Sequence, residues 1–253
     1  MSIYVNIKPG GQDTGTPLNV QRRIDLIGRY VDLARKRILD GGCGRGVYLS
    51  ALLAFSPEVQ GVECDAAKVA AFRSASPFPE KIQVGNLEQL DFPDASFDFV
   101  LLNEVIEHVP NQDLVFPEAL RVLKPGGMMA VFAPNRFFPF ETHGVGLAAI
   151  DRDVSHLVPF IPYIPLAIGT RLFRYYARNY WPWELKRMVI RAGFVVTVQT
   201  YIGQTFEGIS DRQPKMLSVL RPVLRKTVFL LERLPFLRVF GISQVLIARK
   251  PGG

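Results

Sequence analysis

The chain has 253 residues, 48% of them hydrophobic, with 30 basic and 23 acidic side chains and a net charge of +7. That length suits one α/β domain with insertions around a sizeable core, and no run reaches the roughly 18 uncharged apolar residues of a membrane span. The opening MSIYVNIKPGG lacks a basic stretch followed by an apolar one, so no secretory signal is expected, and Cys43 and Cys64 provide no disulfide framework; a reducing cytoplasm is the expected setting.

Residues 1–17, rich in Gly, Thr and Pro, are expected to be loose. Asn19 is then expected to cap a helix that carries Val20, Ile24, Ile27, Tyr30, Val31 and Ala34 at helical spacing. Apolar runs and helical patterns alternate after it. Strands are predicted over 37–40, 59–63, 82–84, 97–103 and 128–133, and helices over 47–55, 66–75 and 113–123. Gly126 and Gly127, after Lys124-Pro125, read as a tight turn into the 128–133 strand. Such alternation implies parallel pairing through right-handed crossovers, hence a doubly wound α/β sheet with helices on both faces.

The regularity lapses over 134–181, rich in Pro, Phe, Tyr and Arg. Within it, 157–170 carries Pro159, Pro162 and Pro165 and reads as a loop or a set of short turns. A helix over 182–192 and strands over 194–201 and 243–248 complete the pattern. Between those last strands, Arg212, Lys215, Arg221, Arg225, Lys226, Arg233 and Arg238 face a single acid, Glu232, so most of the positive excess lies in this segment. Leu217, Leu220, Leu224, Val228 and Leu231 share a helical face there, with Pro222 expected to bend or restart the helix.

The glycine turn Asp40-Gly41-Gly42-Cys43-Gly44-Arg45-Gly46 follows the first strand, where an open α/β sheet binds its ligand. A dinucleotide fingerprint reads G-x-G-x-x-G and seats a pyrophosphate on the helix N-terminus. Here an acid immediately precedes the glycines. A carboxylate so close opposes a pyrophosphate and suits a cationic ligand.

LDGGCGRG (39–46) resembles the first motif of the class I S-adenosylmethionine-dependent methyltransferases, an acidic residue followed by G-x-G-x-G. Further segments resemble the family in its order: GVECD (61–65), VGNLEQLDFPDASFDFVLLNEVIEHV (84–109) and EALRVLKPGGMMAVFAPN (118–135). The resemblance covers about residues 35–135. It implies a Rossmann-like, seven-stranded, mostly parallel sheet with its last strand antiparallel, plus helical lid insertions, and S-adenosyl-L-methionine as cofactor. Carried over to this sequence, Asp40 reaches the methionine amino end, and Gly42 and Gly44 let the backbone come close. Glu63 holds the ribose, Asn86 and Leu87 meet the adenine edge and face, and Asn103 lies near the methionine portion. Gly41, in the same turn, stands where a bulkier apolar residue is usual and is expected to loosen the loop.

Methyl transfer to a hydroxyl needs alignment and a base. His108, in NEVIEHV, is the first candidate because its ordinary pKa lies near neutrality, and His143, in APNRFFPFETHG, is the second. No metal is expected. The arrangement Glu104-x-x-Glu107-His108 nevertheless resembles one in O-methyltransferases of ubiquinone biosynthesis where a divalent metal is held, which keeps these three as alternative ligands. Arg136, Glu141 and His143 among Phe137, Phe138 and Phe140 suggest an apolar acceptor site with a few polar groups. The fourth strand lacks the Asn/Asp-Pro-Pro-aromatic ending of adenine- and glutamine-N-methylating enzymes.

The expectation is one methyltransferase domain over 1–253, with a cofactor core at 18–135 and acceptor-side insertions, a lid, at 136–181 and 203–240. Its acceptor is expected to be a small apolar or lipid-like molecule, methylated on oxygen. The basic, apolar segment 212–240 suggests peripheral docking on an anionic membrane at its inner face. Nucleic acid is not an expected partner, since no RNA-binding module accompanies Arg171, Arg174 and Arg178. The alternatives are methylation of RNA or protein, a non-catalytic S-adenosylmethionine-binding protein, and an NAD-dependent Rossmann enzyme.

Overall fold

A computed structural model describes residues 17–150, 152–155, 158–206 and 215–252, with the backbone alone for 215–219. The expected loose stretch at 1–16, the start of the basic segment at 212–214 and the side chains of Lys215 and Leu217 lie outside the described residues.

The elements in chain order are α1 (Leu18–Gly28), β1 (Ile38–Gly41), α2 (Val47–Leu52), β2 (Val59–Glu63), α3 (Ala66–Ala75), β3 (Ile82–Val84), β4 (Phe97–Asn103), α4 (Gln112–Val122) and β5 (Leu123–Pro134). They continue with β6 (Val145–Leu147), α5 (Leu166–Leu172), β7 (Phe173–Tyr175), α6 (Pro182–Arg191), β8 (Val195–Ile202), α7 (Lys215–Leu231) and β9 (Ser243–Arg249). Seven strands form one sheet in the order β3-β2-β1-β4-β5-β9-β8, flanked by helices, and β6 and β7 form a separate pair. Contacts divide the described chain into two compact units, one from 17–131, 188–198 and 246–252, the other from 132–187 and 199–245.

In the first unit β1 is the central strand. It pairs parallel with β2 and β4, so that Asp40 lies opposite Gly61 on one side and Leu101 on the other. Ile38 and Leu39 are fully buried, as are Phe99, Val100 and Leu101. A parallel strand covered on both faces needs such a continuous apolar run, which is why these strands are readable in the sequence. β9 runs against β5. Gly126 and Gly127 exchange hydrogen bonds with Lys250, while in the second unit the Asn135 N–H donates to the Ile242 carbonyl.

Five expectations change. α1 begins at Leu18 with Pro17 at its cap, and Asn19 sits inside the first turn with its side chain accepting from the Val20 N–H at 2.8 Å. The helix also stops at Gly28, where the Tyr30 N–H closes a tighter turn onto the Ile27 carbonyl. β5 starts five residues early: the glycine pair read as a turn is held in the strand by Lys250, the residue after β9. Residues 157–170 are not all turns, since α5 begins at Leu166 directly after Pro165, whose missing N–H costs nothing ahead of a helix. Pro222 does not split α7, which runs through it.

In the second unit β6 and β7 pair antiparallel, Gly146 opposite Arg174. The packing there is aromatic. Phe137 lies within ring-contact distance of Trp181, Trp183 and Phe240, and Trp181 and Trp183 are stacked 5.0 Å apart at 8°.

Candidate active site

The turn after β1 is built by glycines with different jobs. Gly42, Gly44 and Gly46 all have positive φ, at +71°, +57° and +76°. A Cβ on Gly42 would stand 2.2 Å from Val105 Cγ2, and one on Gly46 would stand 2.3 Å from the Phe72 ring. Those two are glycine because the protein packs against them. A Cβ on Gly44 would meet nothing within 4 Å, so this glycine alone leaves open space beside the backbone. Gly41 belongs to β1 rather than to the loop, and the Leu87 and Leu102 methyl groups fill the room a side chain would need, so it does not loosen the turn.

Glu63, at the end of β2, ties this turn down. Its Oε2 accepts the Gly44 N–H at 2.8 Å and its Oε1 accepts the Asp65 N–H at 3.0 Å. Lys68 lies 3.8 Å from Oε1. Cys43, in the same turn, is buried against Gly61, and burial pushes its thiol well above the ordinary range, which makes it a packing residue.

Asp40 is 2% exposed. One oxygen accepts from the Leu49 backbone, while Oδ2 has no hydrogen-bond partner among the described residues. Burial, then the nearby Glu63 charge, pushes its carboxyl up to about 7. A buried carboxylate with an unused oxygen is costly unless a cation or donor meets it. The residues therefore fit a ligand bearing an ammonium group, with Gly44 leaving space nearby and Glu63 offering further acceptor lone pairs to hydroxyls.

Asn86 and Leu87 follow β3. Leu87 is buried under Gly41, and Asn86 is exposed with its Oδ1 accepting the Glu88 N–H at 2.9 Å. A carbonyl oxygen has a second lone pair, so that bond leaves Asn86 able to accept once more.

Beyond β4 the chain makes a strained corner. Glu104 sits at φ +50°, rarely adopted by a residue with a side chain. A turn of 3-10 helix, Ile106–His108, follows. Arg23, from α1, joins this corner: its Nη1 donates to Asn103 Oδ1 at 2.6 Å and lies 2.9 Å from Glu104 Oε1. Tyr48 also hydrogen-bonds Asn103. Burial, and then Glu104, push the buried Glu107 carboxyl up to about 9, so Glu107 keeps its proton at neutral pH. Burial opposes the charge on Arg23, but Glu104, Tyr48 and Glu107 together outweigh it and hold Arg23 charged. His108 is exposed, with Nε2 4.0 Å from Glu107 Oε1. Burial lowers its pKa more than Glu104 raises it, so its ring stays neutral and basic near pH 7.

In the second unit, His143 is half-buried with Nδ1 3.1 Å from the Thr142 hydroxyl, and Glu141 is buried with Oε2 accepting from Asn179 at 2.8 Å. The first unit thus gathers Asp40, Gly44 and Glu63 around one turn and Asn103, Glu104, Glu107 and His108 around the next. Arg23 escaped the sequence reading because it stands 80 residues from Asn103. Its only signal was its position on the α1 face that buries Val20, Ile24 and Ile27.

A central parallel sheet with an acid-led glycine turn after β1 and an acid ending β2 defines a nucleoside-type cofactor domain of the methyltransferase kind. Residues 39–131 match the methyltransferase domain family. A probable S-adenosylmethionine-dependent methyltransferase of Mycolicibacterium smegmatis is 40% identical over 103 residues, which cover 41% of this chain and 40% of that protein. A ubiquinone biosynthesis O-methyltransferase of Chromobacterium violaceum is 29% identical over 194 residues, 74% of this chain and 76% of that one. The crystal structure of an S-adenosylmethionine-dependent methyltransferase from Mesorhizobium loti shares the fold, with a TM-score of 0.59 at 18% identity, over 90% of this chain and 96% of that chain. The chain spans less than half the length of the mycobacterial relatives it matches. Residues 39–131 thus carry a methyltransferase domain, the chain is similar to S-adenosylmethionine-dependent methyltransferases, and S-adenosyl-L-methionine is the cofactor of those proteins.

Proposed function

We propose that the chain methylates a hydroxyl of a small, apolar or lipid-like acceptor. The observation that carries the cofactor half of this reading is the buried Asp40 oxygen without a protein partner, beside a turn in which Gly44 leaves open space. S-adenosylmethionine supplies an electrophilic methyl group on a sulfonium centre. Asp40 binds its ammonium end, Glu63 accepts from the ribose hydroxyls, Asn86 and Leu87 hold the adenine, and the Arg23–Asn103 pair fixes the β4 end of the pocket. His108, neutral at working pH, accepts the proton of the acceptor hydroxyl, with His143 as the second candidate base.

Oxygen as the acceptor atom is supported by the 29% identity to ubiquinone biosynthesis O-methyltransferases. Calorimetry with S-adenosylhomocysteine tests the cofactor half. Micromolar binding that Asp40→Ala and Glu63→Ala abolish supports it; preference for NAD overturns it. An activity screen over phenols, quinone precursors, sugars and fatty acids tests the acceptor half.

Peripheral attachment to an anionic membrane goes with a lipid-like acceptor. No described helix is long and apolar enough to cross a membrane. The reading is supported by Val223, Leu230, Leu234 and Phe236, which are 47–87% exposed, alternating with Lys226, Arg233 and Arg238.

A further inference from the structure

Arg136, two residues past the end of β5, is 6% exposed and makes no ion pair among the described residues. Its Nε donates to the Pro162 carbonyl at 2.5 Å and its Nη2 to the Ile164 carbonyl at 2.6 Å. These two bonds occupy one edge of the planar guanidinium. The other edge, Nη1 with the second Nη2 hydrogen, has no protein acceptor among the described residues, although the group has five N–H donors to satisfy. The carboxylates that act on it from further off are engaged elsewhere, Glu184 with Arg178 and Glu141 with Asn179. Its plane is fixed by Trp181, whose ring centroid lies 4.9 Å from the guanidinium carbon.

A buried cation without a counter-ion is costly, and burial accordingly lowers the Arg136 pKa although the group stays charged. Main-chain carbonyls cannot neutralise it. A clamp for the 162–164 segment alone would be served by neutral donors. The free edge matches a carboxylate, which takes two parallel N–H bonds from such a fork. Beside it stand the stacked Trp181 and Trp183 with Phe137 edge-on to both, and Trp183 is 54% exposed, so an apolar ring has a surface to lie on.

We propose that Arg136 is an anion-binding, specificity-determining residue that takes the carboxylate of an aromatic ligand against the Trp181–Trp183 wall. As the anchor of a methyl acceptor it rests on the function proposed above; as an anion site it stands without it.

The chain has two tryptophans, both in this wall, so their emission reports the site directly. The full chain, without cofactor, is titrated with 3-phenylpropionate and with its uncharged amide. The acid is expected to give a saturable change in emission and the amide a response at least roughly tenfold weaker. Arg136→Gln should weaken the acid by roughly thirtyfold or more and leave the amide unchanged. Should that variant fail to fold, raised salt on the native chain replaces it, and must weaken the acid only. Equal responses to acid and amide, or no saturable response to the acid, overturn the proposal. Failure of the cofactor reading appears separately, as absent S-adenosylhomocysteine binding with acid binding intact.

Discussion

The Gly44 N–H donates to Glu63 Oε2 at 2.8 Å, so the side chain read as the ribose holder also fixes the shape of the glycine turn. A hydrogen bond to a charged group contributes about 1.5–3 kcal/mol. Glu63→Ala should therefore weaken S-adenosylhomocysteine binding and also lower the melting temperature of the free protein, by roughly 3–10 °C for a chain of this size. Glu63→Gln keeps one acceptor oxygen and should fall between. Calorimetry and thermal unfolding on the same samples check this; an unchanged melting temperature in Glu63→Ala would show that the turn holds itself.

Asp40 gives a pH-dependent prediction. Its carboxyl is raised to about 7 in the folded protein, mainly by burial, against about 3.9 in an unfolded chain. The folded state then binds the extra proton, so this group lowers stability progressively as pH rises from about 4 to about 7, and the loss is complete above that. Asp40→Asn removes the titration. Relative to the native chain it should gain stability as pH rises from 5 to 8, while losing S-adenosylhomocysteine binding at every pH. Thermal unfolding at both pH values is the measurement, and a difference that does not vary with pH defeats it. Ligand binding to the native chain should itself tighten with pH across the same window, because the charged form of Asp40 is the one that meets a cation.

What the sequence made legible follows from how local each cause is. β1, β2 and β4 announce themselves because strands buried on both faces must be continuously apolar, and the 40–46 turn because acid and glycines are adjacent in the chain. Gly41 was misread since the space it vacates is filled by Leu87 and Leu102, distant in sequence. The true start of β5 depends on Lys250, and Arg23 acquires its meaning from Asn103 and Glu104. β6 and β7, three residues each, are too short to carry a period.

Arg23 ties α1 to the β4 corner, and its loss should be severe. Arg23→Met leaves Glu104 without its cation beside Glu107 and removes a donor from Asn103. Breaking a buried pair from one side costs about 3–5 kcal/mol. Denaturant unfolding should show a loss of that order, with Arg23→Lys intermediate because it keeps the charge on a shorter stem that must stretch to where Nη1 meets both acceptors. A loss below about 1 kcal/mol, the value of an exposed pair, would mean the cluster is open to water.

The membrane prediction turns on Phe236, which is 87% exposed in a stretch that also exposes Leu234 and Leu237 between Arg233 and Arg238. Burying a phenylalanine in an apolar phase contributes about 1.5–3 kcal/mol, and each basic residue at an anionic surface about 1 kcal/mol. Sedimentation with vesicles containing anionic lipid should capture the protein at low salt and release it as salt is raised. Phe236→Ser should weaken that capture by roughly tenfold or more, as one buried ring requires. Replacing Arg233 and Arg238 together by Gln should weaken it on anionic vesicles and change nothing on zwitterionic ones. Phe236 belongs to the basic segment and not to the cofactor turn, so S-adenosylhomocysteine affinity in solution should be the same in all three proteins. Capture that is equal on anionic and zwitterionic vesicles, or that survives Phe236→Ser unaltered, would remove this segment as the docking surface.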